Sequence, residues 1–157
     1  MFGKHLPQPY GRGVSALKAT ARRYRDKPRS CGERRLEKTD IQAESAGISA
    51  QNGQPASMEA IRACQILGAD LTKHKSRRIT PEMINDADII AAMTSSHKMQ
   101  LLLAGCPQEK IFTLSELTGI PGDIPDPFGQ SQDIYNRTAQ TLLKHVEILA
   151  KSLGGDK

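Results

Sequence analysis

Ala87-Asp88-Ile89-Ile90-Ala91-Ala92-Met93 is the stretch that decides the fold. It is a short, nearly continuous apolar run with two consecutive β-branched residues. Such a run suits a strand buried on both faces, the kind a parallel sheet with helices on each side requires. On its N-terminal side, Thr80-Pro81-Glu82 reads as a helix start, with a capping hydroxyl and proline at the first helical position. On its C-terminal side, Ser95 or Ser96 is placed to cap a helix that runs through Leu103 and stops before Pro107.

The same alternation extends in both directions. Ile41 to Ala46 reads as a short strand, and Asn52-Gly53-Gln54-Pro55 as a turn-rich loop. Ser57 is a good N-cap for a helix whose apolar stripe is Ala60, Ile61, Cys64 and Leu67, closed by Gly68. Ile111 to Leu114 is a further short strand, and Gly119 to Gln130 is a loop rich in Gly, Pro and Asp. Ile134 to Leu153 is a long amphipathic helix with Leu142, Leu143, Val146, Leu149 and Ala150 on its apolar side. Strands alternating with helices imply an α/β fold with a parallel sheet.

Residues 1–40 read differently. Residues 1–43 hold 11 Lys and Arg against 4 Asp and Glu, and residues 44–157 hold 11 against 13, so the chain's charge of +5 is concentrated at one end. A helix from Val14 to Lys27 would have only the thin stripe Val14, Leu17, Ala21 and Tyr24, and no strand candidate stands out. The segment is expected to be a basic, weakly structured arm, separate from an α/β body over 41–157. Beyond Phe2 at its start its aromatics are Tyr10 and Tyr24, and it matches no nucleic-acid motif, so no nucleic-acid partner is expected. No apolar stretch is long enough to span a bilayer and the N-terminus has no apolar signal region, so no membrane association and a cytoplasmic location are expected. Three widely spaced cysteines, Cys31, Cys64 and Cys106, fit reduced thiols rather than a disulfide framework, and no Cys/His spacing reads as a metal site.

Four stretches resemble the low-molecular-weight protein tyrosine phosphatase family in content, order and spacing, over roughly residues 41–150: Glu44-Ser45-Ala46-Gly47, His74-Lys75-Ser76-Arg77-Arg78-Ile79-Thr80, Ala87 to Thr94, and Asp126-Pro127-Phe128. Lys110 to Leu114 and Asp126 to Tyr135 are most similar to the bacterial protein-arginine phosphatase branch. The resemblance implies a four-stranded parallel sheet in a small three-layer fold, with helices on both faces. It also implies a phosphatase of phosphorylated proteins that needs no cofactor. In that family a loop after the first strand carries a Cys nucleophile with Arg six residues later, and a distant Asp protonates the leaving group. The resemblance makes Asp126 that general acid and Phe128 part of the substrate cleft. It makes Ser45 and His74 supports of the phosphate loop. Protein phosphotyrosine is the leading substrate, with phosphoarginine as the alternative.

The nucleophile half of the pattern is missing. Six residues after Cys31, Cys64 and Cys106 stand Glu37, Asp70 and Phe112. The family's first, central strand has no counterpart either, so its slot is expected to be vacant. One base out of frame, the codons of Met1 to Gly13 permit C-[LS]-G-N-[IT]-C-R-S-P-M-A-E, which resembles the absent loop. The expectation is therefore a frame disruption, through a sequencing error or a damaged gene, with the family frame restored between about Gly13 and Ile41. The chain as written is expected to be inactive. A non-catalytic binding module is a competing reading, and so is an arsenate reductase, although Cys64 and Cys106 show no arrangement suited to that chemistry.

Overall fold

The computed structural model describes residues 16–20 and 42–154. In chain order the elements are β1 (Ala16–Thr20), β2 (Gln42–Ala46), α1 (Met58–Ile66), α2 (Pro81–Asp86), β3 (Ile89–Ala92), α3 (Ser95–Leu103), β4 (Ile111–Thr113), α4 (Leu114–Thr118) and α5 (Gln132–Gly154). A single 3-10 turn, Gln108–Lys110, precedes β4. The sheet order is β2-β1-β3-β4.

The apolar run around Ile89 forms β3, as its composition predicts, and its alternation divides the core. Ile90 packs with Ile84, Ala87, Leu101, Cys106 and Ile111 against α2 and α3. Ala91 packs on the other face with Met93, Leu114, Ile124 and Leu149, beneath α4 and α5. A third cluster, Ala63 with Tyr135 and Ala139, fastens α1 to α5. These are the three layers that the resemblance implies.

Local signals act largely where the sequence places them. Ser57 Oγ accepts from Ala60 N at 3.2 Å, and Thr80 caps α2 with Pro81 at its first position. The cap of α3 differs. Thr94, not Ser95 or Ser96, is the N-cap, and its hydroxyl accepts from His97 N at 3.1 Å. The strand expected over Ile111–Leu114 ends one residue early. Thr113 has extended backbone and forms a capping box with Glu116, so Leu114 opens a helix instead. Lys98 Nζ lies 2.7 Å from Glu116 Oε2 and 5.9 Å above the Phe112 ring, which ties α3 to β4 and α4.

The largest correction concerns the central slot. It is not vacant, because β1 occupies it. Ala16, Leu17, Lys18, Ala19 and Thr20 pair antiparallel with Ala46, Ser45, Glu44, Ala43 and Gln42. Residues Ala16–Ala19 also pair antiparallel with Ala92 back to Ile89. β3 and β4 are parallel, so β1 alone runs against the rest of the sheet. The stretch expected as a thin helix or an unstructured arm is thus a strand over these five residues. The remainder of 1–40 lies outside the described residues. The physical reason is that the facing edges of β2 and β3 present backbone donors and acceptors that any extended segment can satisfy, whatever its side chains. Ala-Leu-Lys-Ala-Thr carries little intrinsic strand preference, so nothing local announced it.

Among the described residues His145 is the one histidine fully buried in the core, at 1% exposure. Its Nδ1 lies 2.7 Å from Thr118 Oγ1, and that hydroxyl donates to Leu114 O. Burial pushes the imidazole below its ordinary 6.5, opposed by a backbone bond to Leu114. The unfolded chain therefore takes up this proton more readily than the folded one. His145 contributes stability that is whole above its ordinary value and is lost as pH falls below it. Denaturation midpoints should decline as pH is lowered from about 7 to 5.5, and His145→Gln should flatten that decline. Leu17→Pro deletes a ladder donor from the central strand. It should destabilise the chain by about 1–3 kcal/mol, read from the urea midpoint.

Candidate active site

The C-terminal ends of β2, β3 and β4 lie at one end of the sheet, where open α/β sheets place their working loops. Ser45 and Gly47 mark that end of β2, Met93 and Thr94 follow β3, and Thr113 closes β4. β1 enters the sheet from this same end, since Ala16 faces both Ala46 and Ala92, and leaves at the opposite end, where Thr20 faces Gln42.

The β2 side is built by two loops that grip the end of the strand. Gly47 N donates to Arg77 O at 2.9 Å and Ile79 N donates to Gly47 O at 3.1 Å, a short parallel bridge on the outer edge of β2. Ser76 N and Gly53 N close the hairpin-like crossing of the two loops at Gln54 O and Ser76 O, where Gly53 takes the positive φ of 81° that the turn requires. Ser45 is buried. Its carbonyl accepts from Arg77 Nε at 2.6 Å, while Arg77 Nη2 lies 3.5 Å from Glu44 Oε2. His74 is half-buried at the start of this loop, its N–H donating to Leu71 O at 3.0 Å. Ser45 and His74 are thus on adjoining segments at the functional end. Arg77, which the motif contains but sequence reasoning gave no role, is the side chain that holds the end of β2.

On the β3 side stands the loop with Asp126. Ile124 N donates to Met93 O at 2.9 Å, and the buried Ile124 side chain sits in the core beside Met93 and Leu114. Two residues later Asp126 Oδ1 accepts from Phe128 N at 3.0 Å, an Asx turn that orients the carboxylate. Phe128 is exposed. Ser45 and Asp126 therefore flank the β1 slot from opposite sides, with no direct bond between them. His97 stands in the first turn of α3, and its Nδ1 is buried with no hydrogen-bond partner. Burial lowers its pKa from the ordinary value, opposed first by Asp126 and then by Asp123. Both carboxylates are thus close enough for His97 to feel their charge. A cleft of about 470 Å³ is lined by Ser95, Lys98, Met99, Thr113, Glu116 and Asp123 among others, and Asp126 and Phe128 are not part of its wall.

Neither described cysteine suits nucleophilic work. Cys64 is buried with Ala69 and Leu71, the small core residue its helical spacing suggests. Cys106 is buried too, and burial raises its thiol pKa, against the depressed value a nucleophilic thiolate needs. Cys31 lies outside the described residues. Among the described residues no three His, Cys, Asp or Glu side chains group as a metal site, and no helix is long and apolar enough to cross a membrane.

Residues 29–157 match the family described as low molecular weight phosphotyrosine protein phosphatase. The chain is 37% identical over 121 residues to the protein-arginine-phosphatase of Bacillus subtilis (strain 168), covering 75% of this chain and 79% of that protein. It is 36% identical over 99 residues to the low molecular weight protein-tyrosine-phosphatase PtpB of Staphylococcus haemolyticus, covering 63% and 70%. Among solved structures, the B. subtilis YwlE mutant aligns with a TM-score of 0.64 at 38% identity, covering 69% of this chain and 74% of that one. Vibrio vulnificus Wzb, solved in complex with benzylphosphonate, aligns at 0.67 and 29%, covering 78% and 88%. With its layered fold and its loops gathered at one end of the sheet, the chain belongs to the low-molecular-weight protein tyrosine phosphatase family, whose members include protein-arginine phosphatases.

Proposed function

We propose that this chain is the body of a cytoplasmic protein phosphatase in which Asp126 is the general acid, Phe128 lines the substrate cleft, and Ser45 and His74 support the phosphate loop. The observation that carries the proposal is the placement of the Asp126 loop and of Ser45 on the two flanks of one sheet position, the slot from which the family's loop emerges. The chemistry follows from that arrangement. A cysteine thiolate attacks phosphorus, the bond to the leaving oxygen or nitrogen breaks, and Asp126 supplies the proton that the leaving group takes. Asp126 then withdraws a proton from water as it attacks the phosphocysteine. That second step breaks the P–S bond and releases inorganic phosphate and the thiolate. Phosphotyrosine is the substrate class of the family's name. Phosphoarginine is the second reading, supported by the longer match to the B. subtilis arginine phosphatase than to the staphylococcal enzyme.

The literal 157-residue chain lacks the nucleophile. No cysteine in it has Arg six residues on. The direction of β1 adds a geometric reason. A loop that follows β1 leaves from Thr20, at the end of the sheet away from Asp126, so this strand cannot deliver a loop as a parallel first strand would. We read the N-terminal residues as out-of-frame. The family match begins at residue 29, which supports a return to frame in the earlier part of the stretch from Gly13 to Ile41.

Four outcomes are expected. The chain as written should hydrolyse p-nitrophenyl phosphate at background, far below the ~1 s⁻¹ at the low end for ordinary enzymes. Activity should arise when residues 1–28 are replaced by an apolar strand and the loop C-L-G-N-I-C-R-S-P-M-A-E, and iodoacetate should abolish it. A restored chain without activity would sink the family mechanism for this body. In that restored chain Asp126→Asn should slow turnover by roughly 10²–10⁴-fold on poor leaving groups and much less on good ones. Finally, Asp126→Asn removes a charge that favours the His97 imidazolium, so the His97 titration followed by NMR should move to still lower pH.

A further inference from the structure

The loop that carries Asp126 is pinned by a carboxylate three residues upstream. Asp123 Oδ1 accepts from Ser95 N and from Ser95 Oγ, each at 3.0 Å, across 28 residues of sequence. Just before it, Ser115 Oγ donates to Gly122 O at 2.5 Å. Just after it comes the Ile124 N–Met93 O bond.

Two features separate this carboxylate from an ordinary helix cap. First, α3 already has a local cap, since Thr94 takes the His97 N–H. Asp123 instead takes the N–H of the first helical residue, which a local cap leaves unsatisfied, and the positive end of the helix favours its charge. Second, the neighbouring ties at Gly122 O and Ile124 N engage only the loop's backbone. The Asp123 carboxylate adds a side-chain tie to a different element, α3. His97 stands on the same first turn and feels both Asp123 and Asp126, so the clasp and the acid share one corner of the molecule.

We infer that Asp123 and Ser95 are positioning residues that clasp the acid loop to the first turn of α3 and fix where the Asp126 carboxylate sits. The inference rests on the reading of Asp126 as general acid. Small displacements of a catalytic group are enough to matter, since about 1 Å of misplacement can lower a rate 10²-fold.

The test has two arms. In the loop-restored chain, Asp123→Ala should lower kcat on phenyl phosphate about tenfold or more, lower it much less on p-nitrophenyl phosphate, and leave KM unchanged. Asp123→Asn, which keeps an acceptor oxygen, should recover most of the loss, and Asp123→Ala added to Asp126→Asn should cost nothing further. Equal losses on the two substrates, or losses that add to those of Asp126→Asn, would overturn the inference. In the 157-residue chain as it stands, Asp123→Ala should speed amide exchange at Phe128, whose N–H reports on Asp126 Oδ1, while β3 amides keep their protection. Unchanged exchange at Phe128 would also overturn it. An Asp126→Asn variant with no leaving-group dependence would instead remove the acid role itself, and the clasp would then be decided by the exchange arm alone.

Discussion

Backbone donors and acceptors on the facing edges of β2 and β3 require a strand between them, and Ala16–Thr20 meets that requirement while running against its neighbours. Everything else about the molecule is arranged around this pairing. With both ladders satisfied, β3 can divide the core, sending Ile90 toward α2 and α3 and Ala91 toward α4 and α5. The hydrogen bonds do not discriminate the direction of the middle strand strongly, since parallel and antiparallel ladders differ little in stability per residue. The direction decides where the strand leaves the sheet. β1 builds the same core but ends, at Thr20, opposite the start of β2 rather than beside its Ser45 end.

The working end is consequently well furnished on its flanks. On the β2 side Arg77 grips Ser45 O and Glu44, and the loop from His74 to Ile79 bridges Gly47. On the β3 side the Asp126 loop is rooted in the core through Ile124 and tied to α3. These flanks are held by residues within 42–154 and owe nothing to the identity of the strand between them. That independence accords with the architecture this body shares with its relatives.

Much of this was legible in the sequence because the signals were local. Thr80-Pro81 and Ser57 start helices through bonds made within one turn, and the Ile89–Ala92 run needs only burial on both faces to be a strand. The family motifs picked out Ser45, His74 and Asp126, and the segments that carry them adjoin the ends of β2 and β3. What escaped was non-local. Thr94 rather than Ser95 caps α3, because Ser95 is already committed to Asp123 across 28 residues. β1 has no composition to announce it and exists because of two edges contributed by distant sequence. His97 gained its neighbours from a loop nearly thirty residues on, and no spacing in its own helix points to them.

The burial of the two described thiols carries a consequence for reagent chemistry. Cys64 and Cys106 are both enclosed in the core, and Cys106 is further disfavoured as a thiolate. Alkylating and oxidising reagents act on exposed thiolates, so residues 42–154 offer them almost no target while the fold holds. With Cys31 replaced, any thiol placed in a cradle of backbone N–H groups beside Asp126 would therefore be modified against a chemically silent background. Covalent labelling of such a chain would then count assembled sites directly, and the later appearance of label on Cys64 or Cys106 would clock the opening of the core.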